Sequence, residues 1–92
     1  MAHSVRISPC AILVLSALAA DTRRWRHGWS LASETGLKSG TIYPLLIRLA
    51  EAGLLEARWE ASEGRGRPPR HAYRIVGPGL VLAKEFAALG KA

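Results

Sequence analysis

The chain has a single cysteine, Cys10, so no disulfide can form within it. Ala11, Ile12 and Leu13 follow it, the setting of a buried apolar thiol, and no neighbouring His or acid could activate it or share a metal. His3, His27 and His71 are scattered and lack metal-ligand spacing, so they read as surface or structural residues. There is no Gly-rich phosphate loop followed by Lys and no G-x-S-x-G nucleophile turn, which argues against an enzyme. Acidic residues are few: 7 Asp plus Glu face 13 Lys plus Arg, for a net charge of +6. That balance favours a polyanionic partner, either nucleic acid or an anionic membrane surface. The apolar stretch Cys10 to Ala20 falls short of the roughly 20 residues that cross a bilayer. No repeat or low-complexity tract divides the 92 residues, which suffice for one domain. A chain this short buries only about two thirds of the surface it exposes when unfolded, so a second subunit would add stability.

Arg6, the apolar run after it and the small residues Ala17, Ala19 and Ala20 imitate a secretory signal, which would make the chain a secreted cationic peptide. Ser8 as a cap and Pro9 as a first helical residue favour a buried helix instead, from about Pro9 to Ala20. That helix is apolar on nearly every side, as expected if it packs against both its own domain and a second subunit. Asp21 to His27 reads as a polar connection, a solvated loop whose Arg23, Arg24 and Arg26 could also touch phosphates.

A short helix is expected over Gly28 to Thr35, with Trp29, Leu31 and Ala32 supplying its weak apolar pattern and Gly36 a left-handed exit. Only a tight turn fits before Ser39, a candidate cap for a helix over residues 39–52. Two helices joined this closely, with Gly at the joint, form a helix-turn-helix. In the second, Ile42, Leu45, Leu46 and Leu49 fall at i, i+3, i+4 and i+7, the stripe of a core-facing helix, and Gly53 ends the run. Pro44 sits awkwardly inside it, because proline forfeits a backbone donor; a start at Thr41 would move Pro44 into the first turn.

Leu54 to Glu60 sets Leu55, Ala57 and Trp59 against Glu56, Arg58 and Glu60, and Arg70 to Val76 sets His71, Tyr73 and Ile75 against Ala72, Arg74 and Val76. These are two strands of a hairpin, joined by Ala61 to Pro69, a loop rich in Gly, Pro and charge. A last helix over 78–89 puts Leu82, Phe86 and Leu89 on one face. The whole is mainly α with a small β-hairpin: a winged helix-turn-helix with a three-helix core, a two-stranded wing and a C-terminal helix.

Such a recognition helix enters the major groove, where side chains near its N-terminus reach phosphates and base edges. Lys38 would pair with phosphate, and Ser39 and Thr41 would offer hydroxyls, unless Ser39 only caps the helix. Tyr43 would contact the sugar-phosphate chain or simply pack, and Arg48 would bind phosphate or a guanine edge. In the wing, Arg65, Arg67 and Arg70 alternate with Gly and Pro, suited to the narrow minor groove.

The segments Gly28-Trp29-Ser30-Leu31, Ser39-Gly40-Thr41-Ile42-Tyr43-Pro44-Leu45-Leu46, Arg48-Leu49, Gly53-Leu54-Leu55, Gly66-Arg67-Pro68 and Tyr73-Arg74-Ile75 closely resemble the DNA-binding domain of PadR-type transcriptional regulators. The resemblance spans about Ile12 to Leu80. It implies a homodimeric repressor in the cytoplasm, on double-stranded DNA and off the membrane. It implies no cofactor, though relatives are often released from DNA by a small aromatic or toxic compound. It also accounts for Pro44, which the family accepts. Trp29 departs from the usual Tyr, Ala72 from a common aromatic and Val76 from a capping Thr. Family members dimerise through a long final helix; here Leu82, Phe86 and Leu89 with Ile12 and Leu15 of the first helix are expected to form the interface. The rival reading is a winged-helix module that binds protein and uses its basic face only for solubility.

Overall fold

The computed structural model describes residues 7–60 and 70–90. Helix α1 (Pro9–Ala19) begins where sequence predicts, with Ser8 extended and its hydroxyl accepting the Ala11 N–H at 3.1 Å. It buries Ala11, Val14, Leu15 and Leu18. Leu15, expected at an interface with a second copy, is wholly enclosed by its own chain and has no surface to offer one. Ile12 is half-buried and Leu13 is exposed, while Cys10 lies half-buried against the core.

The expected loop before the second helix is corrected at its end. Arg26 and His27 form a short strand, β1 (Arg26–His27), which pairs with the later strand β3 (Arg70–Ile75) through Arg26↔Tyr73 and His27↔Ala72. Arg26 is therefore not a free phosphate ligand: at 8% exposure it forms an ion pair with Glu34 and donates to Ser30 Oγ at 3.2 Å. Arg23 and Arg24 remain exposed. Helix α2 (Gly28–Thr35) ends at Gly36, whose φ of 77° is the left-handed exit expected there.

Helix α3 (Ser39–Glu51) buries Ile42, Leu45, Leu46 and Leu49, the predicted stripe, and at roughly 1.5–3 kcal/mol per buried side chain this face dominates the helix's attachment. It starts at Ser39, as the expected range of 39–52 has it, and not at Thr41, but Ser39 is not its cap. Lys38 holds the cap position without a side-chain bond, and its carbonyl accepts from Thr41 and Ile42 at 2.9 Å. Ser39 is thus the first helical residue rather than a cap, and Thr41 is inside the first turn. Pro44 stays inside the helix on its exposed side, where the carbonyl of Gly40, deprived of its donor, belongs to a turn open to water.

Strand β2 (Leu55–Glu60) runs antiparallel to β3 from Leu55↔Ile75 to Glu60↔Arg70, giving a sheet in the order β1-β3-β2. One sheet face turns Leu55, Tyr73 and Ile75 into the core. Its other face stacks Arg58 and Arg74 on the Trp25 ring, 4.1 and 4.4 Å from the centroid, and Arg74 Nε donates to Glu56 at 2.9 Å.

Helix α4 (Gly77–Gly90) returns across α1. The expected stripe is rotated: Gly79 and Ala83 are buried, whereas Leu82 and Phe86 are half-buried. The side chain of Leu89 is outside the described residues. Gly79 explains the rotation, since a Cβ there would stand 2.1 Å from the Leu54 carbonyl oxygen, and backbone cannot swing aside. Gly79→Ala should therefore lower stability by about 1–3 kcal/mol through overpacking, despite alanine's better helix propensity. Urea unfolding checks this, and an unchanged midpoint would refute the close approach.

Candidate nucleic-acid interface

Because α3 buries one stripe, the opposite side is carried outward. Lys38, Ser39, Thr41, Tyr43 and Arg48 are all exposed there, so the structure gathers onto one helix the five predicted contact residues of this region. Arg65 and Arg67 are outside the described residues, as is the side chain of Arg70, whose backbone is the first residue of β3. Glu51 is also exposed, near the far end of the same helix.

Tyr43 is held rather than free. Its ring lies over Gly28, where a Cβ would come within 2.3 Å of Cε1. The missing side chain at the start of α2 thus creates the seat for a ring on α3, and ties the two helices of the motif together. The hydroxyl of Tyr73 lies nearby; burial pushes it above the ordinary tyrosine value, with the neighbouring Tyr43 adding to the effect. It stays protonated near neutral pH and keeps its donor.

Beside α3 the structure contains a feature that the sequence reading missed. A cleft of about 230 Å³ opens between α3 and the hairpin, with Tyr43 and Ile47 on one wall and Trp59 and His71 on the other. His27, Gly28 and Trp29 close its end and Tyr73 contributes to its lining. Trp59 is 66% exposed and its ring lies 3.7 Å from that of His71. Trp29, expected on the apolar side of α2, is 58% exposed and stacks parallel to His27 at 6.1 Å. The strand alternation did carry the signal: Ala57, Trp59 and His71 share the core-facing side of the hairpin but lie beyond the end of the core.

His27 and Glu60 lash the start of α2 to the hairpin, Nε2 to Oε1 at 2.8 Å. Arg58 binds the second oxygen of Glu60 at 2.8 Å, and Arg58 first, then His27, holds the Glu60 carboxyl below the usual glutamate range. Among the described residues no group of three or more His, Cys, Asp or Glu is placed to hold a metal, and no helix is long and apolar enough to cross a membrane.

A model of the transcriptional regulator PadR-like family matches residues 18–85. Among solved structures, a PadR family transcriptional regulator from Eggerthella lenta DSM 2243 is 31% identical, with 86% of this chain covering 71% of that one at a TM-score of 0.68. A PadR family transcription regulator from hypervirulent Clostridium difficile R20291 is 23% identical, with 91% of this chain covering 92% of that one at 0.70. MepR of S. aureus, solved as a DNA complex, is similar in fold: 18% identity, 91% of this chain, 64% of that one, TM-score 0.73. No curated protein matches by sequence.

The Glu60 contacts have a pH signature. Since folding lowers its pKa below 4.5, they stabilise the fold above that value and are lost as pH falls through the folded value. The stability difference between wild type and Glu60→Gln should therefore shrink in acid, measured as urea midpoints across a pH series. A difference that widens below pH 4.5 would contradict the assignment.

Proposed function

The chain belongs to the PadR-like family of transcriptional regulators, and on that premise we propose that it is a cytoplasmic repressor that binds a pseudo-palindromic site on double-stranded DNA as a homodimer. It is a regulator and not an enzyme. The observation that carries the reading is the outward face of α3, where Lys38, Ser39, Thr41, Tyr43 and Arg48 are exposed together by the burial of the opposite stripe. A helix with one face anchored and the other polar is what the major groove admits.

In this reading Lys38 pairs with phosphate, and Ser39 and Thr41 donate to phosphate or base at the helix N-terminus. Arg48, farther along, takes a phosphate or the O6 and N7 of a guanine. Tyr43, held over Gly28, meets the sugar-phosphate chain. Arg65, Arg67 and Arg70 follow the flanking backbone or minor groove. The fold likeness to S. aureus MepR, itself solved on DNA, supports the same use of the scaffold.

The second copy joins through α1 and α4. Ile12, Leu82 and Phe86 are half-buried in the single chain, and the exposed Leu13 and Val81 add apolar surface on the same two helices; Leu89 is expected there from the sequence alone. Leu15 has no part in the contact. The dimer sets two α3 helices in successive major grooves, about 34 Å apart. No cofactor is needed, and release by a small aromatic compound is the form of regulation that the family suggests.

Selection of bound fragments from genomic DNA, followed by titration of the selected duplex over a salt series, tests this. Lys38→Ala and Arg67→Ala should each weaken binding to all sequences and reduce the salt slope by about 1. Failure of the wild-type protein to bind any duplex at low salt would overturn the reading in favour of a protein-interaction module.

A further inference from the structure

We propose that the aromatic cleft is the seat of one sugar-phosphate strand of the duplex, with Trp29 and Trp59 as uncharged contact residues. The proposal rests on the reading of α3 as the recognition helix and adds to it Trp29 and Trp59, which are not among the recognition or wing residues, beside Tyr43, which is.

The major groove, about 12 Å wide, and the adjacent minor groove, about 6 Å wide, are separated by a single phosphodiester strand. A duplex that takes α3 in the major groove and the end of the hairpin beyond Trp59 and His71 in the adjacent minor groove must carry that strand across the space between them. In this chain that space is the cleft: Tyr43 and Ile47 belong to the outward side of α3, Trp59 and His71 to the last part of the hairpin, and Trp29 closes the end.

An indole N–H donates and cannot accept, which matches phosphate oxygens that accept and cannot donate. The indole faces offer apolar surface for the C–H groups of a deoxyribose. Both rings are more than half exposed; although Trp59 lies against His71 and Trp29 against His27, each keeps open surface for such contacts. Contacts to phosphate and sugar make up half to two thirds of protein–DNA hydrogen bonds, and they fix register without reading sequence.

No Lys or Arg lines the cleft among the described residues. Arg58 and Arg74 are committed to Trp25 and to Glu60 and Glu56 on the other side of the sheet. The contact made by the two indoles is therefore uncharged, and it has a thermodynamic signature. A lost cation contact lowers the slope of log affinity against log salt by about 0.9, because one counterion fewer is released. A lost neutral contact lowers affinity equally at every salt concentration.

The test uses the full chain and a duplex selected from genomic DNA. Trp29→Ala and Trp59→Ala are each expected to weaken binding about tenfold, the loss of one hydrogen bond to a charged acceptor. The salt slope should stay that of wild type, and urea midpoints should also stay put, since the rings are exposed. Trp59→Phe, which keeps a ring and loses the donor, should fall between wild type and Trp59→Ala. Wild-type affinity in both alanine variants, alongside a reduced slope in Lys38→Ala, would overturn this inference and leave the recognition helix standing. A reduced slope in the tryptophan variants would also overturn it, because the cleft would then act by positioning a cation. If the wild-type protein binds no duplex, the recognition reading itself fails and takes this one with it.

Discussion

The burial of Ile42, Leu45, Leu46 and Leu49 is the constraint on which the other features depend. A helix has one rotation about its axis that hides such a stripe, and hiding it fixes what the remaining side presents. Lys38, Ser39, Thr41, Tyr43 and Arg48 are outward because the leucines are inward. The same packing draws α2 against α3, and the closeness of the two helices is set at a single pair, the bare Cα of Gly28 beneath the ring of Tyr43. A packing requirement thereby becomes a positioning device for a side chain in the proposed DNA face.

The sheet supplies the second half of the surface by outrunning the core. Leu55, Tyr73 and Ile75 use the inner side of the hairpin near the helices, whereas Trp59 and His71 continue that side into solvent. What packs near the core becomes a wall of the cleft farther out. The short strand β1 and the lash between His27 and Glu60 join this wall to the start of α2, so that cleft and recognition helix belong to one frame. On the reverse side, Arg58 and Arg74 cover Trp25, and their guanidinium groups are occupied by carboxylates. The basic character of the chain is therefore not spread evenly: these arginines and Arg26 stabilise the fold, while Lys38 and Arg48 stand exposed.

Local signals were legible in the sequence because their causes are local. The Ser8 cap, the exit at Gly36, the stripe of α3 and the alternation of the two hairpin strands each depend on residues within a turn or two, and each took its predicted place. Strand β1 was not legible, since two residues have no period and their partner is β3, far along the chain. The burial of Arg26 depends on Glu34, which lies on another element. Leu15 and the stripe of α4 were misjudged for a related reason: α1 and α4 are apolar around much of their circumference, and in α4 the close approach of Gly79 to Leu54 favours the side that carries Gly79 and Ala83. The start of α3 at Ser39 agrees with the expected range, but its cap does not: the hydroxyls of Ser39 and Thr41 suggested a side-chain cap, and the helix begins without one. The side chains at 27, 29, 43, 59 and 71 were each read on their own element, because the cleft that assembles them is a product of tertiary structure.

The central claim is that the outward side of α3 and the adjoining cleft form one continuous DNA-contacting surface. Two-dimensional NMR of the protein, free and bound to a selected duplex, tests it most directly, because the three tryptophans report three different places. The account predicts large shifts of the indole N–H signals of Trp29 and Trp59 and of the backbone amides from Lys38 to Arg48, with that of Trp25, stacked under Arg58 and Arg74, little changed. Shifts confined to α1 and α4, with both exposed indoles unmoved, would contradict it.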